Sequence, residues 1–119
     1  MKYENLIESQ PAELVGKLLN DLKKQKAIEI HFDFDDDDDQ WSVVRIHTED
    51  DNEISLRLHA EDKYVLAYGY YDEDDDFVEI KRTLSEDETS TVPKKLQKAM
   101  AKVLEDEEGL RLPANILSK

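Results

Sequence analysis

Three histidines, several acidic runs and the lack of any cysteine set the chemistry open to this chain of 119 residues. Without cysteine there is no thiol nucleophile, disulfide framework or thiolate metal ligand. His31, His47 and His59 invite a zinc site, which needs three or four ligands at about 2.0–2.1 Å from nitrogen. The runs Asp35, Asp36, Asp37, Asp38, Asp39 and Asp72, Glu73, Asp74, Asp75, Asp76 invite calcium. An EF-hand loop needs glycine at its sixth position and a bidentate glutamate at its twelfth. Counted from Asp33 those positions hold Asp38 and Val44; counted from Asp72 they hold Phe77 and Thr83. Both runs fail, so no specific calcium site is expected. Paired carboxylates for acid–base work need environments that push their pKa values apart. Adjacent aspartates in solvated loops are the wrong setting. The chain also lacks a G-x-S-x-G elbow, a phosphate-cradling loop and a dinucleotide fingerprint. The expectation is no catalytic residue, no cofactor and no metal.

The elements that must position these groups follow from the apolar pattern. The hydrophobic share of 39% is low and the charged share of 39% is high, yet the apolar residues fall in alternating and helical patterns that disordered acidic tails lack. One domain over residues 1–119 is expected. Ser9 and Pro11 read as a helix start, with Ser9 as N-cap. Leu14, Val15, Leu18, Leu19 and Leu22 then form one stripe over about four turns. Five strand-like runs follow, at 28–34, 41–48, 54–60, 64–71 and 77–84. Their connections are too short for parallel crossovers, which predicts a five-stranded antiparallel meander. A polar linker over 85–90 leads to a second helix starting near Thr91 and Pro93, with Leu96, Ala99, Met100, Val103 and Leu104 on one side. Gly109 is its expected C′ residue. The last ten residues are expected as an irregular tail or a final turn after Pro113. The fold class is α+β.

Symmetric turns give provisional registers: Phe32 facing Val44, Ile46 facing Leu56, Leu58 facing Leu66 and Tyr68 facing Ile80. All fall on one face, the expected core beneath the helices. The opposite face carries all three histidines, with His31 beside Arg45, His47 beside Glu29 and His59 beside Val43. That spacing separates His47 from His59 by more than about 10 Å, which argues against a shared metal. The fourth run is apolar or small on both sides, through Val65, Ala67, Gly69 and Tyr71. Cover for that face is expected from the C-terminal tail or from a partner.

The net charge is −14, from 30 acidic and 16 basic side chains. Phosphates and anionic lipids are repelled over a Debye length of about 8 Å at physiological salt, which argues against direct nucleic-acid or membrane binding. Twelve of the 16 basic residues are lysine, which weighs against a salt-adapted surface. The opening residues carry no apolar h-region, and no stretch approaches the roughly 20 apolar residues of a bilayer span, so a cytoplasmic protein is expected.

In a meander, two of the acidic turns share one end of the sheet. Glu49, Asp50, Asp51, Glu53, Asp72, Glu73, Asp74, Asp75 and Asp76 form that rim, with Tyr71 and Phe77 as aromatic anchors. Asp35, Asp36, Asp37, Asp38 and Asp39 form a second rim at the other end, beside Glu61 and Asp62. Such acidity serves solubility and blocks edge pairing, and it also complements a basic partner. The expected function is an acidic binding or inhibitor module that docks on a basic protein: a toxin, a nuclease or another nucleic-acid-binding protein. Immunity proteins, nuclease inhibitors and DNA mimics share this physical logic. The alternative is a self-associating adaptor, a homodimer through Val43, Val65, Ala67, Tyr71 and Phe77.

Overall fold

The period-two alternation of the first strand-like run becomes β1 (Ala27–Phe34), and the following runs become β2 (Gln40–His47), β3 (Glu53–His59), β4 (Tyr64–Tyr71) and β5 (Phe77–Thr83). The computed structural model describes residues 3–34, 40–48, 50–61 and 63–117. Each consecutive pair of strands is antiparallel. A sixth strand, β6 (Leu110–Pro113), returns to the free edge of β1, so the order is β5-β4-β3-β2-β1-β6. The expected five-stranded meander is therefore one strand short. Leu112 pairs with Ile28 and Leu110 with Ile30, and the two apolar residues of this short segment lie on the side that completes the core. A 3-10 turn at Ala114–Leu117 then buries Leu117.

The helices lie on one face. These are α1 (Tyr3–Ser9), α2 (Pro11–Lys23), the single turn α3 (Glu86–Thr89) and α4 (Lys94–Asp106). The expected stripe of α2 is buried from Leu14 to Leu22, and Leu96, Met100 and Val103 of α4 join it. These side chains and the strand residues Ile28, Ile30, Val44, Ile54, Leu56, Leu58, Leu66 and Tyr68 form one cluster. Each fully buried aliphatic side chain contributes roughly 1.5–3 kcal/mol.

Three local expectations are corrected. Ser9 closes α1 instead of capping α2, and its hydroxyl donates to Asn5 O at 2.7 Å. Gln10 occupies the N-cap of α2 without a side-chain bond, and Pro11 fills the first turn, where its missing N–H costs nothing. The left-handed residue that ends α4 is Glu107 (φ 56°), so Gly109 is not the C′ residue. Part of the linker is helical: Ser85 Oγ accepts the Glu88 N–H and the Glu88 carboxylate accepts the Ser85 N–H. This reciprocal pair makes α3.

Registers were anticipated within two residues. Tyr68 faces Ile80 as expected, but Phe32 faces Ser42, Val44 faces Leu56 and Leu58 faces Tyr64. A shift of two keeps every side chain on its face, so the core assignments stand.

Candidate functional site

The β2–β3 and β4–β5 loops lie at one end of the sheet and share one design. Thr48 N–H donates to Asn52 O at 2.8 Å and Asp51 N–H to Thr48 O at 3.2 Å; Asp72 N–H donates to Asp76 O at 3.0 Å and Asp75 N–H to Asp72 O at 3.1 Å. Each loop places an aspartate in the left-handed region, Asp51 at φ 60° and Asp75 at φ 59°. Aspartate tolerates that region better than most residues because its short polar side chain bonds locally. Asp72 Oδ1 accepts the N–H groups of Asp74 at 2.9 Å and Asp76 at 3.0 Å. Thr48 Oγ1 does the same for Asn52 at 3.3 Å.

The strand order sets the two loops about 10 Å apart, two strand spacings. Asp50, Asp51, Glu73, Asp74, Asp75 and Asp76 are exposed on them. Two of the anticipated rim residues are committed elsewhere: the Asp72 carboxylate closes its own loop, and Glu53 is half-buried beside His47, 3.8 Å away. Glu49 and residues 35–39 lie outside the described residues, as does Asp62, so the second rim shows only Glu61, which is exposed. Asp72, Asp74 and Asp76 each place a carboxylate oxygen within 4.8 Å of the others, a consequence of the Asp72 turn.

Beside the loops stand the two aromatic residues expected as anchors. Tyr71 and Phe77 are 56% and 47% exposed, and their rings meet edge to face at 5.2 Å between centroids. The tip of the Phe77 ring lies over Gly69, where a Cβ would come within 2.2 Å of it. The sheet needs glycine there to let the ring cross it. His47, Asp51, Glu53, Tyr71 and Phe77 line a depression of about 370 Å³. The exposed Asp51 carboxylate and two aromatic rings in one hollow suit a cationic side chain, with Glu53 held beside His47.

The outer face is not covered by the tail, which forms β6 and turns Leu117 into the core on the other side. Val43, Val65 and Ala67 are nonetheless buried and stand apart from the main core cluster. Their cover comes from long neighbours. Arg57 lies opposite both Val43 and Val65, and its guanidinium reaches across β4 to Glu79, with nitrogen–oxygen distances of 3.2 and 2.8 Å. Of the apolar strip expected to drive self-association, Tyr71 and Phe77 are the exposed part.

The Arg57–Glu79 clasp was not anticipated, because the two residues are 22 apart in sequence and meet only once the register is known. Burial works against ionisation of Glu79, but the Arg57 hydrogen bonds and charge, with help from Lys81, outweigh it and hold the carboxyl below its ordinary range. On half-buried Glu88, the Ser85 backbone N–H it accepts is the main cause that holds the carboxyl below its ordinary range.

The histidines sit opposite other partners than expected: His31 faces Val43, His47 faces Glu53 and His59 faces Trp41. His47 and Trp41 are six residues apart on β2, so His59 lies about 20 Å along the sheet from His47. Among the described residues, the potential ligand cluster is the aspartate trio above and includes no histidine. No described helix is long and apolar enough to cross a membrane. No protein family, curated protein or solved structure matches the chain.

Proposed function

We propose that this chain is a non-catalytic binding module of the inhibitor type. It docks the end of its sheet, with the 48–52 and 72–76 loops, on a basic protein surface. The observation that carries this reading is the pairing of two acidic loops of the same backbone pattern beside the exposed Tyr71–Phe77 pair. The loops hold their carboxylates on short hydrogen-bonded turns, which limits the entropy lost on docking. The aromatic pair supplies the kind of anchor on which interface energy concentrates. A net charge of −14 draws a basic partner to the molecule, and the exposed carboxylates of the two loops favour this end. The partner class is a protein whose own surface is built to hold phosphate, such as a nuclease, a toxin or another nucleic-acid-binding protein.

The test is capture of a partner from native lysate at about 100 mM salt, followed by a salt gradient. One basic protein should be retained in stoichiometric amount and released as salt rises. Combined Asp74→Lys, Asp75→Lys and Asp76→Lys should weaken that complex at least about tenfold. Glu105→Lys, Glu107→Lys and Glu108→Lys make the same change in net charge at the end of α4 and should weaken it far less. Equal losses from the two triple variants would exclude this docking face.

A further inference from the structure

The ladder between β1 and β2 runs from Phe34↔Gln40 to His31↔Val43 and stops there. Below that point β1 pairs with β6 through residues 27–30, and β2 pairs with β3 through residues 44–47. The facing backbone edges of these two segments are therefore unpaired with each other, and the sheet forks. The fork holds a depression of about 410 Å³ lined by Leu22, Gln25, Ala27, Glu29, His31, Arg45, His47 and Arg111. Its chemistry runs against the rest of the molecule. In a chain of net charge −14, it gathers two of the four arginines and two of the three histidines. Lys23, Lys24 and Lys26 flank Gln25 on the adjoining turn.

Two features leave donors to spare. Arg45 is held from one side, by the Asp33 carboxylate, while its buried Nε meets no acceptor among the described residues. Arg111 is 73% exposed on the edge strand and touches Glu29 at 3.5 Å; His31 touches the same carboxylate at 3.4 Å. Glu29 is thus the carboxylate that lines the fork, shared between an arginine and an imidazole, while Asp33 pairs with Arg45 and Glu53 stands 3.8 Å from His47. Each imidazole offers an N–H in either charge state, the Gln25 amide offers two more, and a guanidinium fork matches a two-oxygen acceptor. Leu22 and Ala27 add an apolar wall. The volume falls within the range of small-ligand sites.

We propose that the fork between β1 and β2 is an oxyanion-binding site that takes a small organic anion by its phosphate or carboxylate group. Arg111 and Arg45 hold the charged head, His47 and Gln25 donate to it, and the body lies against Leu22 and Ala27. Glu29 competes with the ligand for Arg111. This site shares His47 with the hollow at the acidic end, but its charged head rests on Arg45 and Arg111, which the acidic loops do not use, so failure of either reading leaves the other standing.

The proposal is tested on the full chain by ¹H–¹⁵N spectra at constant ionic strength, titrated with inorganic phosphate and in a separate arm with succinate. Saturable shifts should concentrate at Gln25, Ala27, Glu29, His47 and Arg111. Arg111→Gln, on an exposed edge where it does not threaten the fold, should weaken binding by about tenfold or more. Glu29→Gln should tighten it, because the competing carboxylate is gone and the shape is kept. Lys63→Gln, remote from the fork, should leave it unchanged. Saturation by phosphate alone or by succinate alone supports the site and names its ligand class. Shifts that fail to saturate or that scatter over the lysines would overturn it. So would an Arg111→Gln variant that binds like the parent, or a Glu29→Gln variant that binds no better.

Discussion

At the scale of single residues, the molecule uses acidic side chains in two ways, and pH separates them. Glu79 is clasped by Arg57 and held below its ordinary range, so the folded state prefers its ionised form more than the unfolded state does. The resulting stability is present above the unfolded carboxyl's pKa, about 4.3. It is lost as pH falls through the lower folded value. Glu79→Gln should therefore destabilise the protein at pH 7 by about 1–2 kcal/mol, since Arg57 is left part-buried without its charge partner. The gap should narrow below about pH 4; denaturant unfolding across that range measures it, and a gap that stays constant with pH would exclude the clasp as its source. Asp75 plays the other part. It sits at φ 59° with its carboxylate exposed, so it holds a backbone position that glycine occupies without strain. Asp75→Gly should raise stability by about 0.5–1 kcal/mol. Because the loop shape is kept, partner affinity should drop only by the share of one charge. A destabilised Asp75→Gly variant would mean that the carboxylate itself holds the turn.

At the scale of elements, the sequence was most legible where periodicity was long. The alternation from Ile28 to Phe34 and the stripe from Leu14 to Leu22 set faces that the structure keeps. The misses have physical causes. Nothing glycine-rich marks the hairpin turns, since aspartates occupy the left-handed positions, and a symmetric guess at the loop ends placed Glu53 in the turn when it pairs with His47. Leu6 and Ile7 are buried in a short helix whose single turn of apolar residues gives no repeat to read. The side-chain arrangement followed the same rule: that two acidic loops share one end of the sheet was legible, whereas the Arg57–Glu79 clasp and the basic fork depend on register and on a strand that returns from far along the chain. That returning strand matters energetically. It covers the edge beside Ile28 and Ile30, and the turn after it drives Leu117 to 2% exposure against α2 and α4. Leu117→Ala should cost about 2–4 kcal/mol by the cavity it opens. The same substitution should speed amide exchange in β1 and β6 ahead of β3 and β4. Uniform acceleration across the sheet would show that the tail is not a separable unit.

At the scale of the whole molecule, the acidity acts with opposite signs inside and outside. A charge of −14 is carried on a body whose extents are 39 × 33 × 28 Å. At 0.01 M salt the Debye length is about 30 Å, so nearly every carboxylate feels every other. At 0.15 M it is about 8 Å, and only neighbours such as the residues of one loop still repel. Unfolding spreads these charges apart, so the folded state should gain from screening. The ion pairs on the outer face oppose this trend weakly. The Arg57–Glu79 pair is shielded from salt by burial, and the exposed pairs, such as Lys63–Glu61 at 3.8 Å, contribute little. The expected result is a melting temperature that rises between 10 and 150 mM salt by about 4 °C, equivalent to roughly 1 kcal/mol for a domain of this size. Across the same interval, affinity for a basic partner should fall, because there the charges attract. Opposite slopes for stability and docking, measured on one preparation, would assign both effects to the same surface charge. A melting temperature that falls with salt would show that attraction within the outer-face network exceeds repulsion between the loops, and that the acidic end is charge-balanced locally and offers no net field to a partner.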